Sequence, residues 1–357
     1  MPLLDYLDYK ILTILGKNPL ATVIELSKEL GINVKTLSKR MKLLMKEKVL
    51  YNVSAQICPV PLELEPIIVF IDTKLKNIPA IENVGEKHPY TRFSTRCLGS
   101  INGLMKIFTI PRNSIKYLLE LFDRLREIGL IEKYRYVNSI AKWSYVESDF
   151  TYYDPIEDDW KFNWKLWGGN VDSIENVGEL EGYPPSILHR MDENDMKILE
   201  ELSINARVKL KDLSEKLGIP EYHLSRRIKF YLDNGVIEGF RLSLYLKASN
   251  LFNQFIFKCI CPVNITARFA KAIKKLPFPL TFMPTQEGFV LIILLPPLGI
   301  SYLGEALQKY VEKVEFMWAD YRTSRRYYFY GEPFKGGRWQ ADKKTLVDNV
   351  LERLNLK

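Results

Sequence analysis

The chain has 357 residues, a hydrophobic fraction of 47% and a formal net charge of +8 at pH 7. This length suits two to four compact units, and the hydrophobic fraction excludes extensive disorder. The positive charge is compatible with a polyanionic partner, because clustered lysine and arginine side chains displace counterions from phosphate groups.

The sequence argues against a membrane-spanning or metal-binding protein. The longest apolar run, residues 289–298, is about half of the ~20 residues that a spanning helix needs, and residues 1–10 lack the apolar core of a signal peptide. No cysteine or histidine has CxxC or HxxxH spacing, and Cys259 and Cys261 alternate along a predicted strand, where both would be buried. We therefore expect a cytoplasmic protein without membrane partner, metal or cofactor, and the composition favours a thermophilic, archaeal-like source.

An internal repeat dominates the sequence. Residues 5–50 align with residues 192–237 without a gap. Identical pairs include Asp5 and Asp192, Asp8 and Asp195, Leu26 and Leu213, Gly31 and Gly218, and Arg40 and Arg227. Because the period is much longer than that of solenoid repeats, each copy is predicted to hold one or two whole domains.

Each copy begins with a predicted helix-turn-helix. In the first copy, apolar residues recur at helical spacing over 7–15, 23–30 and 34–44. Thr22 and Glu25 have the spacing of a capping box at the start of the second helix, Gly31 ends that helix, and Asn33 is an N-cap for the third. The short turn between the second and third helices is typical of a helix-turn-helix.

The third helix of each copy carries a polar, mainly cationic stripe opposite its apolar face. In the first copy the stripe consists of Lys35, Thr36, Ser38, Lys39 and Lys42, and in the second of Tyr222, His223, Ser225, Arg226 and Lys229. Such side chains can contact guanine edges and phosphates in a major groove. A solvated helix face would explain one stripe alone. Its recurrence, each time before a β-branched stretch suited to a wing (49–57 and 236–246), favours DNA binding.

Arg40 and Arg227 lie at the edge of the apolar stripe and have two interpretations. Each could contact DNA with the other stripe residues. Each could instead form an ion pair inside its own domain, with Asp8 and Asp195 respectively, which are placed on the first helix of each copy. The sequence leaves both interpretations open.

After each helix-turn-helix, the predicted elements follow the order βαββαβ, which is that of the ferredoxin-like fold. We therefore predict an α+β protein, with the two four-stranded antiparallel sheets packed on each other. The predicted units are a winged helix-turn-helix at 1–57, a ferredoxin-like domain at 64–145, an acidic, aromatic-rich linker at 146–186, a second winged helix-turn-helix at 187–246, a second ferredoxin-like domain at 250–330 and a tail at 331–357.

The linker and the tail hold many apolar side chains that must be covered. The linker aromatics are Phe150, Tyr152, Tyr153, Trp160, Phe162, Trp164 and Trp167, and the tail ends in an amphipathic helix with Leu346, Val347, Val350, Leu351 and Leu354 on one face. Core docking is the first expectation for both segments. Homodimer formation through the sheets, the linker or this helix is the alternative.

These motifs resemble the leucine-responsive, Lrp/AsnC-type family of transcription regulators. The resemblance rests on the first-helix pattern DxxDxxIL at 192–199, on Leu217-Gly218-Ile219 in the turn, on SRRI at 225–228 and on NGVIEGF at 234–240. It is weaker in the first copy, where Lys48 stands in place of Gly235. The family resemblance implies ferredoxin-like domains that pair in dimers and often bind amino-acid effectors, and this chain is similar to such a dimer fused into one polypeptide.

The family resemblance also implies where an effector would bind. Family members have a Gly-x-x-Asp turn between the two central strands, and Gly99 to Asn102 occupy that place here. Asn102 lacks the carboxylate for an amino group, and residues 284–287 lack the glycine. An effector at Gly99 and Asn102 is therefore one hypothesis, and a tight turn that needs a glycine is the other.

The leading functional hypothesis is a transcription regulator of the nucleoid that binds double-stranded DNA and is not an enzyme. Two alternatives remain. One is an architectural chromatin protein with little base preference. The other is a resemblance to fused sirohaem decarboxylases, for which Arg92 and Arg96 would line a pocket, although His88 lies before its strand.

Overall fold

The computed structural model describes residues 4–174, 177–244 and 249–355. The first copy starts with α1 (Tyr6–Lys17), α2 (Val23–Leu30), α3 (Val34–Lys46) and β1 (Leu50–Ile57). The predicted local signals operate as expected. The Thr22 hydroxyl accepts a hydrogen bond from the Glu25 amide, Gly31 adopts the left-handed conformation at the end of α2, and the Asn33 side chain caps α3. These contacts satisfy backbone groups that the helix ends would leave unpaired.

The turn after α3 has the same backbone path in both copies, although the residue that makes it differs. Gly235 has a φ of 67° and Lys48 a φ of 56°. The next amide closes the same hydrogen bond in each, from Val49 to the Leu44 carbonyl and from Val236 to the Tyr231 carbonyl, both 2.9 Å. Because a side chain disfavours positive φ, the first copy carries backbone strain that glycine avoids in the second.

The first ferredoxin-like unit follows, with two helices on one face of four strands. Its elements are β2 (Leu64–Asp72), α4 (Ile78–Lys87), β3 (Thr91–Gly99), β4 (Gly103–Pro111), α5 (Ile115–Glu127) and β5 (Lys133–Asn138). The strand order is β5-β2-β4-β3. Apolar residues of β2 and β4 are buried on both faces, because the helices cover one face and the second unit covers the other.

The linker has secondary structure of its own. Its elements are β6 (Ser144–Val146), β7 (Tyr153–Asp154), β8 (Asp159–Trp160) and α6 (Trp164–Asp172). The predicted boundary between the first ferredoxin-like domain and the linker, between residues 145 and 146, falls inside β6. β6 pairs with a strand of the other repeat, so the end of the first ferredoxin-like unit could not be located from local sequence.

The second copy repeats the first. Its elements are α7 (Glu193–Ile204), α8 (Leu210–Leu217), α9 (Glu221–Asp233), β9 (Ile237–Leu244), β10 (Asn253–Ile260), α10 (Val263–Ala272), β11 (Leu280–Thr285), β12 (Gly288–Leu295), α11 (Gly299–Tyr310) and β13 (Lys313–Asp320). The tail adds β14 (Arg325–Arg326), β15 (Phe334–Lys335), β16 (Arg338–Trp339) and α12 (Asn349–Arg353). The α+β fold with duplicated helix-turn-helix and ferredoxin-like units is thus confirmed.

The two ferredoxin-like sheets are joined edge to edge as well as face to face. Within the described residues, the eight strands of the two units, together with β6 and β14, form one ten-stranded sheet. In this sheet β3 of the first unit pairs with β13 of the second. At the other end Ser139, just after β5, bridges to Thr285 of β11, so the sheet curls back on itself. Its inner face is a shared core of Ile68, Phe70, Cys97, Met105, Ile107 and Val137 from the first unit and Ile256, Met283, Val290, Ile292, Met317 and Ala319 from the second. The predicted packing of the sheets on each other is present, and the edge pairing is an addition to it.

The linker and the tail each connect a helix-turn-helix to the ferredoxin-like unit of the other repeat. Tyr9 of α1 contacts Phe150, Phe150 contacts Trp160, and Trp160 contacts Phe278 of the second unit, with ring centroids 5.1 to 5.8 Å apart. In the tail, the indole of Trp339 donates to the Leu62 carbonyl of the first unit at 2.7 Å. The aromatic side chains are therefore used as internal packing, apart from Tyr152, which is exposed.

The end of the tail also packs on the first ferredoxin-like unit. A π-helical turn over Lys344–Asp348 leads into α12. Leu346, Val347 and Val350 are buried in the core that includes α4 and α5. The apolar face of this helix is therefore covered inside the chain.

Among the described residues, every helix is too short or too polar to span a bilayer.

Candidate nucleic-acid interface and central cavity

The predicted DNA-contacting stripes lie on the outer surface of α3 and α9. In α3, Lys35, Thr36, Lys39 and Lys42 are exposed and Ser38 is half-buried; in α9, Tyr222, His223, Ser225, Arg226 and Lys229 are exposed. The opposite faces are held in the domain cores by Leu37, Met41 and Leu44 and by Leu224 and Tyr231. The helical period that buries one set of residues therefore presents the other set to solvent.

Most of the cationic groups on these stripes are not neutralised. Among the described residues, Lys35, Lys39, Lys42 and Arg226 form no salt bridge, and Lys229 pairs at 3.1 Å with Asp233 on the same helix. Unpaired ammonium and guanidinium groups on an exposed helix can donate to phosphates without first breaking an internal ion pair.

Arg40 and Arg227 have a different role from the rest of the stripe. Arg40 contacts the carboxylates of Asp5 and Asp8 at 2.8 and 2.9 Å. Arg227 contacts those of Asp192 and Asp195 at 2.9 and 2.5 Å, and the hydrogen bond from Arg227 lowers the pKa of Asp192 to about 2. These aspartates also cap the first helix of each copy.

The two arginines therefore hold the recognition helix against the first helix. Of the two interpretations that the sequence allows, the structure favours the ion pair, and DNA contact by Arg40 and Arg227 is not supported. The DxxD pattern combines both tasks, because its first aspartate caps the helix while the second is buried beside the arginine.

The predicted wings form one shared ribbon. β1 and β9 are single strands that pair with each other, antiparallel, from Leu50 with Leu244 to Ile57 with Ile237. The stretches predicted as wings are therefore strands that join the two domains, and residues 245 and 246 of the second predicted wing lie outside the described residues. Each strand thus satisfies the backbone hydrogen-bonding groups along one edge of the other, across the boundary between the two domains.

Further contacts fix the two helix-turn-helix domains relative to each other. The Asn52 side chain donates to the Ile204 carbonyl at 2.6 Å, and the Ala206 amide donates to the Val53 carbonyl at 2.7 Å. Arg207 donates to the Pro19 carbonyl at 2.9 and 2.7 Å and to the carbonyl of Ala21 at 3.0 Å. The recognition helices are thus carried on one connected scaffold.

The predicted effector turn is part of the junction between the sheets. Gly99 has a φ of 130°, pairs with Met317, and would place a Cβ atom 2.6 Å from the Phe316 carbonyl oxygen. The backbone N–H of Asn102 donates to an Asp72 carboxylate oxygen at 2.9 Å. These contacts explain the glycine by close backbone approach, so the effector hypothesis for Gly99 and Asn102 has no support in this geometry.

A central cavity of about 460 Å³ lies where the ribbon meets the curled sheet. Its walls come from β1 and β9, from strands of both ferredoxin-like units, and from residues 143–148, which lead from the first unit into the linker. Such a volume is within the range of small-molecule sites. Aromatic side chains form much of the wall, among them Phe93, Trp143, Tyr145, Tyr183, Tyr327 and Phe329.

Three arginines line this cavity. Arg241 pairs with Glu147 at 2.7 Å, and Arg92 donates to the Thr109 hydroxyl and to the Tyr328 carbonyl. The guanidinium of Arg326 has no hydrogen-bonded or ion-paired partner in the part of the chain that the structure describes. Arg326 and Arg241 both line the cavity, and the positive charge of Arg241, together with burial, lowers the pKa of Arg326 to about 10.

Two carboxyl groups complete the polar lining. Burial raises the pKa of both Glu147 and Glu238. The Oε1 atom of Glu238 is buried without a hydrogen-bond partner. The three arginines outnumber these two carboxyl groups among the residues that line the cavity.

Sequence reasoning found one of the three cavity arginines. Arg92 lines the cavity as expected. Arg96 does not line it and instead forms an ion pair with Glu82, with an N–O distance of 2.7 Å. His88 is buried outside the cavity lining, and desolvation lowers its pKa to about 3. Arg241 and Arg326 were missed. The run RRYYFY at 325–330 was a visible signal, but which of its arginines faces inward depends on the pairing of β14 with β3.

Comparison with known proteins supports both the repeat and the fold. A family model described as winged helix-turn-helix DNA-binding matches residues 4–50 and 191–238. The HTH-type transcriptional regulator LrpA of Bacillus subtilis is 31% identical over 102 residues, which cover 28% of this chain and 67% of the relative. An uncharacterized HTH-type transcriptional regulator of Pyrococcus abyssi is 44% identical over 61 residues, 17% of this chain. The chain spans 41% of the length of that relative.

A solved structure extends the similarity over the whole chain. The crystal structure of the siroheme decarboxylase NirDL matches with a TM-score of 0.58, covering 98% of this chain and 99% of that protein, at 14% sequence identity. At this identity the match establishes a common tandem fold.

Proposed function

The chain belongs to the Lrp/AsnC-type family of transcription regulators, and we propose that it binds specific sites in double-stranded DNA as a fused pseudo-dimer. One recognition helix of each half, α3 and α9, enters a major groove. Lys35, Thr36, Ser38, Lys39 and Lys42 act in the first half, and Tyr222, His223, Ser225, Arg226 and Lys229 in the second. The protein acts by binding and not by catalysis.

The observation that carries this proposal is the pair of exposed, uncompensated stripes on a shared scaffold. Lys39 and Arg226 are solvent-exposed on helices that the β1–β9 ribbon connects. Two recognition helices at a fixed separation are what a two-half-site operator requires. Arg40 and Arg227 support the site indirectly, because their ion pairs orient the helices.

The two halves should read different sequences. Lys39 and Arg226 occupy equivalent positions, but Thr36 and Lys35 correspond to His223 and Tyr222. Because half-site symmetry mirrors protein symmetry, a single chain is expected to prefer an asymmetric site. Selection of a strict palindrome by a single chain would contradict this expectation.

The test is selection of bound duplexes from a random library, followed by titration of the selected site against scrambled DNA at about 0.15 M salt. A preference of ~10³ or more is expected, weakened by Lys39→Ala and by Arg226→Ala. Lys76→Ala, an equal charge change on the exposed surface of the first ferredoxin-like unit, is the control. Tight binding without preference would instead support an architectural chromatin protein, and no DNA binding would refute both.

A second candidate function, a tetrapyrrole enzyme like the siroheme decarboxylases, is favoured by the whole-chain similarity to NirDL and by the arginine-lined cavity. Against it, no histidine lines the cavity within the described residues. Incubation with sirohaem separates the candidates. A shift of the sirohaem absorption bands and a decarboxylated product would support the enzyme, whereas an unchanged spectrum and unchanged sirohaem would exclude it.

A further inference from the structure

We propose that the central cavity is a binding site for an aromatic organic anion, whose acidic group contacts Arg326 and whose ring lies against the aromatic wall. This site differs from the turn at Gly99 and Asn102 and does not depend on DNA binding. The charge of the cavity, its shape and its position in the molecule all support such a ligand.

Arg326 supplies the cavity with a positive charge that has no ion-pair partner among the described residues. Its neighbours Arg241 and Arg92 already have partners, Glu147 for the first and Thr109 with the Tyr328 carbonyl for the second. The guanidinium of Arg326 lines the same cavity as that of Arg241 and has no hydrogen-bonded or ion-paired partner of its own among the described residues, so its N–H groups are available to a ligand. An anion would neutralise this excess charge and could accept two parallel hydrogen bonds from the guanidinium.

Much of the cavity wall is aromatic. Trp143, Tyr145 and Phe93 present rings to a cavity of about 460 Å³. Ligand sites of this size are lined mainly by apolar and aromatic groups, with a few convergent polar groups that fix orientation. An aromatic body against these rings with an acidic group at Arg326 satisfies both requirements, whereas a bare inorganic ion would leave the aromatic wall uncovered.

The site also has a structural connection to the recognition helices. Arg241 lies on β9, and Ser54 and Gln56 of β1 line the same cavity. These are the strands that join the two helix-turn-helix domains. A ligand in the cavity therefore contacts the connection between the domains directly, which gives the proposed regulator a place for effector control.

The experiment uses two fluorescent probes of nearly equal shape with the full-length protein in the absence of DNA. Anilinonaphthalene sulfonate carries an anionic group, and phenylnaphthylamine is its neutral counterpart. The anionic probe should bind at one site per chain, and Arg326→Met should weaken that binding at least tenfold. Arg325→Met is the matched control, because Arg325 pairs with Glu86 and does not line the cavity. It should leave the affinity of both probes within twofold of wild type.

A second measurement does not require a variant to fold. Affinity of the wild-type protein for the anionic probe should fall with rising salt, while that for the neutral probe should not. Benzoate and phenyl phosphate compete as carboxylate and phosphate forms of the same chemistry, and displacement by either supports the site and identifies its acidic group. Equal affinity for both probes, or equal effects of Arg326→Met and Arg325→Met in folded proteins, would overturn the proposal.

Discussion

Arg207 of the second helix-turn-helix donates two hydrogen bonds to the Pro19 carbonyl of the first, at 2.9 and 2.7 Å. The equivalent position of the first copy is Leu20, which is partly exposed and cannot donate. The contact is therefore asymmetric. A symmetric dimer of two identical chains would form every such contact twice. Fusion has allowed one copy to acquire a link that fixes its distance from the other.

Replacing this link should relax the spacing between half-sites. Arg207→Leu introduces the residue of the first copy and removes three hydrogen bonds to carbonyls of Pro19 and Ala21. Affinity for the best operator should fall a few-fold, while operators lengthened by one or two base pairs should lose less affinity than they do with wild type. Lys211→Ala, on the exposed surface of α8, is the control. An unchanged spacing profile would show that the ribbon alone sets the distance.

Loss of the Arg227 ion pairs should affect stability more than direct DNA contact. Arg227→Met leaves the buried Asp195 without its cation, for which the expected cost is about 3 to 5 kcal/mol in the free energy of unfolding. Urea denaturation measures this change. Arg226→Ala, one residue away and exposed, should change stability by less than about 0.5 kcal/mol while weakening DNA binding. The reverse result for the pair would place Arg227 at the DNA.

The same ion pairs predict an acid limit. Arg227 holds the pKa of Asp192 at about 2, below the ordinary value of about 3.9 in an unfolded chain. The stabilisation by Asp192 is therefore complete above pH ~4 and is lost as the pH falls toward 2. In Arg227→Met this part of the pH dependence should be smaller, as measured by thermal unfolding between pH 2 and 5. Identical pH profiles for variant and wild type would contradict the linkage.

Lys106 predicts a second pH dependence, in the alkaline range. Its side chain is buried beneath α4, where the ammonium donates to the Ser94 hydroxyl at 2.8 Å, and burial lowers its pKa from 10.5 to about 7. Because the unfolded chain binds this proton more tightly, stability should rise with pH between 7 and 10.5, by up to roughly 1.4 kcal/mol per pH unit. Glu82 and Glu86 oppose the shift, and Arg325 adds to it.

Lys106→Met should remove that dependence. The variant should be more stable than wild type at pH 7, and its advantage should shrink as the pH rises toward 10. Lys258→Met is the control, because buried Lys258 has an ion pair with Glu287 at 2.8 Å and its replacement should give no gain. Chemical denaturation at several pH values measures both differences, and a Lys106→Met protein less stable than wild type at pH 7 would disprove the idea.

Gly99 predicts the weak point of the seam between the sheets. A Cβ atom at this position would meet the Phe316 carbonyl oxygen at 2.6 Å, with φ at 130°. Gly99→Ala should lower the free energy of unfolding by about 1 to 3 kcal/mol and speed amide exchange at the β3–β13 junction. Gly304→Ala in α11, where nothing lies within 4 Å of the added atom, should be neutral or stabilising. Slow exchange at Met317 in Gly99→Ala would refute this account.

The local structure of the helix-turn-helix units can be derived from residues close together in the chain. The capping box of Thr22 and Glu25, the left-handed Gly31 and the exposed position of Lys39 follow from interactions between residues a few positions apart. Such interactions depend on local helix geometry, which is why the helix-turn-helix could be predicted. The repeat is visible as the match of residues 5–50 to residues 192–237, and the ferredoxin-like order follows from the spacing of apolar residues along the chain.

The contacts between the two repeats, in contrast, depend on how the whole chain packs. β1 could have paired within its own domain, but it pairs with β9, and β6 pairs with β11. The backbone groups of a strand edge are the same for every partner, so the sequence does not specify which edge they meet. Arg326 and Arg241 line one cavity because the β1–β9 ribbon meets the curved sheet, and both are assembled from strands far apart in the chain.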